Sequence, residues 1–244
     1  MSSRTASVPN AKADAEGLPT HVGIIMDGNG RWAQSRGKIR SAGHLEGLKT
    51  AKAIVQHASK RAIPYISLYV FSTENWKRTV DEVGFLMNLV DSHILAELPF
   101  YQKNNIRLRF SGNLEGLPPA VAAKLLNARK KTAENTGTCV NLAINYGGRD
   151  EIIRAIKRAT VELHDDHNNL NEETLRQYFD NPDIPDLDLV IRTAGEQRTS
   201  NFFIWQAAYA ELYMDNKLWP DWTVEDFDEA LAQYTTRTRR YGGV

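Results

Sequence analysis

Asp27, Gly28, Asn29, Gly30 and Arg31 follow directly on a short apolar run, Val22 to Met26, with Arg40 and His44 a few turns of chain further on. An acid and two glycines at the end of a strand-length apolar run, leading into helix-compatible residues, match the geometry of a phosphate cradle. Glycine lets the backbone approach an anion and tolerates positive φ. The N–H groups of such a loop can converge on the anion, and a following helix adds its positive end. Arg31, Arg40 and His44 supply further donors. Asp27 would repel a bare phosphate, which calls for a cation between the two; Mg²⁺ suits, because it binds carboxylate and phosphate oxygens together. Asp27-Gly28 alone reads as a capped glycine turn, and only the whole set reads as an anion site. The stretch is neither a Walker A loop nor G-x-G-x-x-G.

Such a loop has to be held by a sheet. Strand-like segments fall at 21–26, 65–72, 106–112, 139–146 and 187–193, with a shorter one at 208–214. Helical segments fall at 45–61, 81–103, 119–134, 149–164, 171–179 and 224–237. This alternation predicts an α/β fold, a single domain with a mainly parallel six-stranded sheet flanked by helices on both faces. In such sheets ligands sit beyond the carboxyl ends of the strands. Polar residues collect at those ends: Phe71 to Arg78 after the second strand, Asn145 to Arg149 after the fourth, and Arg192 to Asn201 after the fifth. Within 81–103, Val83, Leu86, Met87, Val90, Ile94 and Leu98 share one face, with Phe85 and Leu89 beside it. That stripe alone favours a core helix that also meets a partner subunit; a wall of a hydrocarbon channel is the sharper alternative.

The 244 residues carry 30 Lys plus Arg against 30 Asp plus Glu, so the chain lacks the basic excess of a nucleic-acid binder. Basic residues gather instead around the glycine-rich stretches, as a small anionic ligand requires. The one cysteine, Cys139, lies in an apolar run and excludes a disulfide within the chain, which fits a reducing compartment. Residues 1–18 are polar and small, lack a secretory h-region and are expected to form a disordered tail. No stretch approaches the ~18 apolar residues of a membrane span. A cytoplasmic location is expected, and residues 19–244 are expected to form the catalytic domain.

The segments HVGIIMDGNGRWAQSRGKIRSAGH, LYVFSTENWKR, NLAINYGGRDEI, DLVIRTAGEQRTSNFFIWQAAYAELYM, LWPDW and RTRRYGG, in that order from residue 21 to 243, resemble the cis-prenyltransferase family, the undecaprenyl diphosphate synthases. The resemblance implies condensation of isopentenyl diphosphate with an allylic diphosphate such as farnesyl diphosphate. It also implies Z geometry at each new double bond, Mg²⁺ as cofactor and a homodimer. Carried onto this sequence, the allylic diphosphate site is Gly28, Asn29, Gly30, Arg31, Trp32, Arg40 and His44, with Arg78 reaching in. The isopentenyl diphosphate site is Arg192, Arg198, Thr199 and Ser200. Ser72, Thr73, Glu74 and Trp76 accompany Asn75 in orienting the reacting groups. Asp27 and Asn75 are the implied catalytic residues, although a neutral amide is a poor proton acceptor, which leaves Asn75 a positioning role. Asp27 and Glu211 are the implied magnesium ligands.

The growing chain would need an apolar tunnel, for which Leu86, Met87, Val90, Ile63 and Ile106 are candidates. By the same resemblance the tail at 237–244 crosses the dimer to close a partner's site, and the surface contacts a membrane transiently when product leaves. One departure is Ala194, which stands where the family has the first of two glycines. A non-catalytic subunit of a heteromeric enzyme and a phosphohydrolase with Asp27 as nucleophile are the competing readings. The first is disfavoured by the joint presence of Asp27, Asn75, Arg192, Arg198, Ser200 and Glu211, the second by the lack of a nearby second acid.

Overall fold

A computed structural model describes residues 17–163 and 170–237, apart from the side chains of residues 94 and 95. Six strands form one sheet: β1 (His21–Ile25), β2 (Tyr65–Ser72), β3 (Arg107–Ser111), β4 (Cys139–Tyr146), β5 (Leu189–Arg192) and β6 (Glu211–Met214). Their order is β3-β4-β2-β1-β5-β6, and all five pairings are parallel. Parallel strands covered on both faces read as near-continuous apolar runs. Accordingly β1 and β5 are buried throughout, as are all eight residues of β4. The chain leaves β1 toward β2 on one side and later returns to place β5 on the other. A crevice therefore opens beyond the carboxyl end of β1, where the order of the strands reverses.

The helices are α1 (Asn29–Gln34), α2 (Arg40–Lys60), α3 (Val80–Ala96), α4 (Leu98–Lys103), α5 (Pro119–Lys131), α6 (Gly148–Glu162), α7 (Glu172–Arg176) and α8 (Val224–Thr235). Two expectations are corrected. The helix read from residue 45 begins at Arg40, which brings two further basic groups, Arg40 and His44, onto its first turns. The helix read over 81–103 is two helices. Pro99 lies in the first turn of α4, where its missing N–H costs nothing, and it disfavours helical backbone just before it, so α3 stops at Ala96.

On α2, Ala51, Ile54, Val55 and Ala58 are buried, and on α3, which packs against α5, Leu86, Met87 and Val90 are buried. The expected tail is shorter than 1–18 at its inner end, because Leu18 is buried in the core; residues 1–16 lie outside the described residues. Under the sheet a buried polar chain ties four strands together. His21 on β1 bonds Ser67 on β2 at 2.8 Å; Asn141 on β4 donates to Ser67 at 3.2 Å and to Ser111 on β3 at 3.0 Å. The other ring nitrogen of His21 meets the Pro185 carbonyl at 2.7 Å. Burial pushes the His21 imidazole pKa down to about 4, against the opposing pull of that carbonyl and of Asp188.

Candidate active site

At the end of β1 the chain turns through Asp27 into Gly28, whose φ of 104° is a conformation that favours glycine. A Cβ on Gly28 would also lie 2.9 Å from the Leu218 side chain and 3.0 Å from the Ala194 Cβ. Behind this loop α2 approaches closely, since a Cβ on Gly43 would fall 2.0 Å from the Asn29 carbonyl oxygen. Trp219 braces the turn from a third side. Its backbone N–H donates to the Asp27 carbonyl at 3.0 Å and its indole donates to the Gly47 carbonyl at 2.8 Å. The amide of Asn29 donates to the Met26 carbonyl at 3.1 Å, and its buried Oδ1 has no partner among the described residues.

A second loop leaves β5 beside the first. The Thr193 hydroxyl accepts from the Asp27 N–H at 3.0 Å and donates to the Asp27 carbonyl at 2.7 Å, clamping the two strand ends together. Arg192, with its side chain only 5 % exposed, donates through Nη2 to Asp27 Oδ2 at 2.9 Å. Through Nη1 it reaches Ser200 Oγ at 2.7 Å and the Arg198 carbonyl. The other Asp27 oxygen accepts from the Gly28 N–H at 2.8 Å. This loop is wound tightly: Ala194, Gly195, Ser200 and Asn201 all have positive φ, at 73°, 75°, 48° and 64°. Non-glycine residues held this way cluster at functional sites, where the surrounding structure enforces them. Arg31 ties the loops to each other by donating to the Ala194 carbonyl at 2.8 Å.

The third side follows β2. Asn75 Oδ1 accepts from the Ser72 N–H at 3.0 Å, so the oxygen that would have to take a proton is already committed to the backbone. Glu74 accepts from Asn201 at 2.9 Å, which joins this loop to the second. Arg78 and Arg40 converge on one acid, Glu82, at 2.7 Å and 3.3 Å. His44 lies beside them with Nε2 buried and without a partner among the described residues. Burial lowers its pKa, and the neighbouring cations Arg78 and Arg40 lower it further against the opposing pull of Glu82. His44 is among the residues that line the space between the loops, with that nitrogen shielded from solvent.

That space is a cavity of about 860 Å³. Asp27, Gly28, Asn29, Gly30, Arg31, Arg40 and His44 line its mouth, with Ser72, Glu74, Asn75 and Arg78 on the β2 side and Arg192, Arg198 and Ser200 on the β5 side. Inside, Val55, Leu68, Phe71, Leu86, Val90 and Leu142 are among the apolar walls. The α3 stripe therefore does face an apolar channel, through Leu86, Leu89 and Val90. Met87, Ile63 and Ile106, expected in that wall, lie instead in the packed core.

Five other expected residues stand outside the cavity. Trp32 points away, donating to Asp221 at 2.6 Å under a guanidinium, Arg36, 4.4 Å from its ring. It holds α1 on the Trp219–Asp221 turn. Trp76 donates to Asn145 at 2.7 Å and packs edge-on against Phe71. Thr73 donates to Glu74, and Thr199 accepts the Phe202 N–H through its carbonyl. Glu211 opens β6 opposite Leu189, which itself pairs with Val22; Asp27 lies five residues further along. At ~3.3 Å per residue, that sets Glu211 on the order of 15 Å back along the sheet. There it is paired with Arg237 at 2.6 Å. Within one chain Asp27 and Glu211 cannot share a metal, which corrects that expectation. The rest of the tail, 238–244, lies outside the described residues.

The sequence placed Asn145, Thr193 and Asn201 in polar strand ends without giving any of them a role, and did not single out Glu82. Glu82 carried a signal, its i,i+4 spacing from Arg78. The others are fixed by contacts between distant loops.

The Asp27 carboxylate fits a role as protein ligand to a divalent cation. Mg²⁺ is commonly held by one or two carboxylates plus the substrate's phosphates. No cluster of three or more His, Cys, Asp or Glu side chains suited to a metal occurs among the described residues, so phosphate oxygens would have to complete the set. With this geometry in place, the family model described as "Putative undecaprenyl diphosphate synthase" matches residues 25–242. The chain belongs to the undecaprenyl diphosphate synthase family. Its relatives within that family include an isoprenyl transferase of Treponema denticola, 54% identical over 91% of this chain and 96% of that protein. Another, from Thermotoga maritima, is 46% identical over 93% of this chain and 98% of its own length. Among solved structures, lavandulyl diphosphate synthase from Lavandula x intermedia, in complex with dimethylallyl diphosphate, superposes with a TM-score of 0.88 at 34% identity, covering 93% of this chain and 99% of that one. "A probable undecaprenyl diphosphate synthase" from Campylobacter jejuni gives 0.78 at 38% identity, covering 92% and 98%.

Proposed function

We propose that this protein is a Mg²⁺-dependent cis-prenyl chain elongase. It would condense isopentenyl diphosphate with an allylic diphosphate, farnesyl diphosphate being the favoured starter, to a long Z-polyprenyl diphosphate such as undecaprenyl diphosphate. That product class serves as a lipid carrier for cell-wall glycans. One observation carries the reading: two cationic loops meet at Asp27 over the mouth of an apolar cavity of about 860 Å³. The loop after β1, with Arg40, Arg78 and His44, takes the allylic diphosphate. Arg192, Arg198 and Ser200 take isopentenyl diphosphate. Guanidinium groups form charge-assisted bonds to phosphate about twice as strong as neutral ones.

When bound, Mg²⁺ would neutralise charge on a diphosphate next to Asp27. Arg40, Arg78 and His44 hold the departing group and stabilise the charge that develops on it. The double bond of isopentenyl diphosphate attacks C1 of the allylic chain. The new C–C bond forms as the C1–O bond breaks, and diphosphate leaves with the electron pair. The C2 proton then passes to a phosphate oxygen, which gives the Z double bond. Asn75 orients the reacting groups through its bond to the Ser72 backbone. After the first diphosphate leaves, the head that came from isopentenyl diphosphate moves to the vacated loop after β1 as the lengthened chain slides inward, and this frees Arg192, Arg198 and Ser200 for another isopentenyl diphosphate. Burial is worth ~0.8 kcal/mol per CH₂, or about 3–4 kcal/mol per five-carbon unit, which favours retention over release.

The chain would work in the cytoplasm as a homodimer, its C-terminal tail reaching a partner, with transient contact to a membrane surface as product leaves. No described helix is long and apolar enough to cross a membrane. Incubation with farnesyl diphosphate, labelled isopentenyl diphosphate and Mg²⁺ tests the reaction. Label extractable into butanol, dependent on all three, is expected; no incorporation would refute the reading.

A further inference from the structure

The apolar cavity does not close against packed core at its far end. Lys52 on α2 lies twelve residues past Arg40, about 18 Å of helix from the mouth. There it meets Glu97, in the break between α3 and α4, with Nζ 2.6 Å from Oε2 and 5.1 Å from the Phe100 ring centre. His93 stands beside them on the cavity wall. Leu48, Lys52, His93 and Glu97 also line a second, outer groove of about 450 Å³, completed by Trp32, Ala42 and Leu45 and by the long side chains of Lys38, Glu46 and Lys49. The same four side chains thus form the partition between cavity and groove. The ion pair in that partition is partly exposed, 37 % at Lys52 and 18 % at Glu97, and pairs of this kind add little stability.

Capacity gives the groove its occupant. If a methylene fills about the space of one liquid water, ~30 Å³, a cavity of about 860 Å³ holds on the order of 30 carbons, head groups included. A longer chain has to continue somewhere, and only a thin partition separates the cavity from an adjoining groove with apolar side chains.

We propose that this groove is a second hydrocarbon subsite, which takes the ω-end of the growing polyprenyl chain once that end displaces the Lys52–Glu97 ion pair. The proposal rests on the elongation reading above and adds to it the path of the chain. Glu46 and Lys49, paired at 2.7 Å, also line the groove, where the tail would lie along the aliphatic stems of its lysines.

Product ladders from farnesyl diphosphate, isopentenyl diphosphate and Mg²⁺, resolved by mass, test this with three variants. Leu45→Glu places a carboxylate in the groove at a half-exposed position that tolerates it. Ala42→Phe narrows the same groove without adding charge. Both should cut products beyond roughly 30 carbons by about tenfold or more, with the first condensations left within about twofold of wild type. Glu97→Gln, which weakens the gate, should shift the ladder toward longer chains. Wild-type ladders in all three variants would overturn the proposal, as would a wild-type ladder that never passes about 30 carbons. Absence of any product from the wild-type protein would instead overturn the elongation reading, and the groove's role with it.

Discussion

The two loops that meet at Asp27 are built in opposite ways. The loop after β1 gets its shape from glycine and close helix packing, and its cations stand on separate elements: Arg40 on α2, Arg78 beyond β2. Both share Glu82 and are 52 % and 39 % exposed, free to swing from that acid to a ligand. The loop after β5 is wound through left-handed non-glycine residues around a single buried guanidinium, Arg192, whose two terminal nitrogens are already engaged. One is a set of movable charges held in reserve by an acid. The other is a socket fixed by the buried Arg192, with one exposed cation, Arg198, held on Glu196 at its edge. The movable charges suit the proposed reaction, in which the leaving diphosphate is released and the diphosphate carried in on isopentenyl diphosphate then takes its place, while Arg192 fixes the pose of each isopentenyl diphosphate as it arrives.

Removing the residue the loops share should do the most damage. Asp27→Ala is expected to lower kcat/KM by about 10³-fold or more with an unchanged circular-dichroism spectrum, and to lower the melting temperature as well, because the buried Arg192 loses its carboxylate. Activity near wild type would remove Asp27 from the mechanism.

Next comes the base on which both loops stand. His21 titrates at about 4 in the folded chain and at an ordinary 6.5 when unfolded, so below pH 6.5 the unfolded chain binds more protons. Stability is therefore full above about pH 6.5 and falls as pH drops toward 4, by about 3 kcal/mol in all. Urea unfolding at pH 7 and 4.5 measures it, and His21→Asn should flatten the dependence.

Arg192→Lys separates socket from movable charge, because an ammonium cannot bond Asp27 and Ser200 in the same plane. A loss of about 10²-fold, mainly as a raised KM for isopentenyl diphosphate, is expected. The reserve side should respond in the other direction. Glu82→Gln frees Arg40 and Arg78 and should tighten binding of the allylic diphosphate by a few-fold, about what one exposed ion pair is worth. Weaker allylic binding in that variant would mean that Glu82 positions the arginines rather than competing for them.

The smallest effect belongs to Ala194, at φ 73°. An L-residue there costs about 1–2 kcal/mol, so Ala194→Gly should raise stability by about 1 kcal/mol in a urea titration after the extra freedom of unfolded glycine is deducted.

The fold was legible because parallel strands buried on both faces advertise themselves as short apolar runs, and β2 and β4 fall where the sequence puts them. The glycine-rich loop was legible because few other purposes need an acid, two glycines and an arginine at a strand end. What stayed hidden depends on register and on loops distant in sequence. Glu211 reads as a site acid until β6 is aligned on β5, which carries it to the far end of the sheet. Trp32 sits only five residues from Asp27, yet it is buried on the side of a six-residue helix turned away from the cavity and serves Asp221. Asn145 and Asn201 gain their roles from Trp76 and Glu74 across the crevice, which no local pattern encodes.

Condensation requires both loops to be occupied at once, which calorimetric titration measures. Farnesyl thiodiphosphate, which does not ionise readily, should bind with one site per chain whether or not isopentenyl diphosphate is saturating. Arg192→Lys should weaken only isopentenyl diphosphate. Mutual displacement of the two ligands, with one site per chain in total, would contradict it.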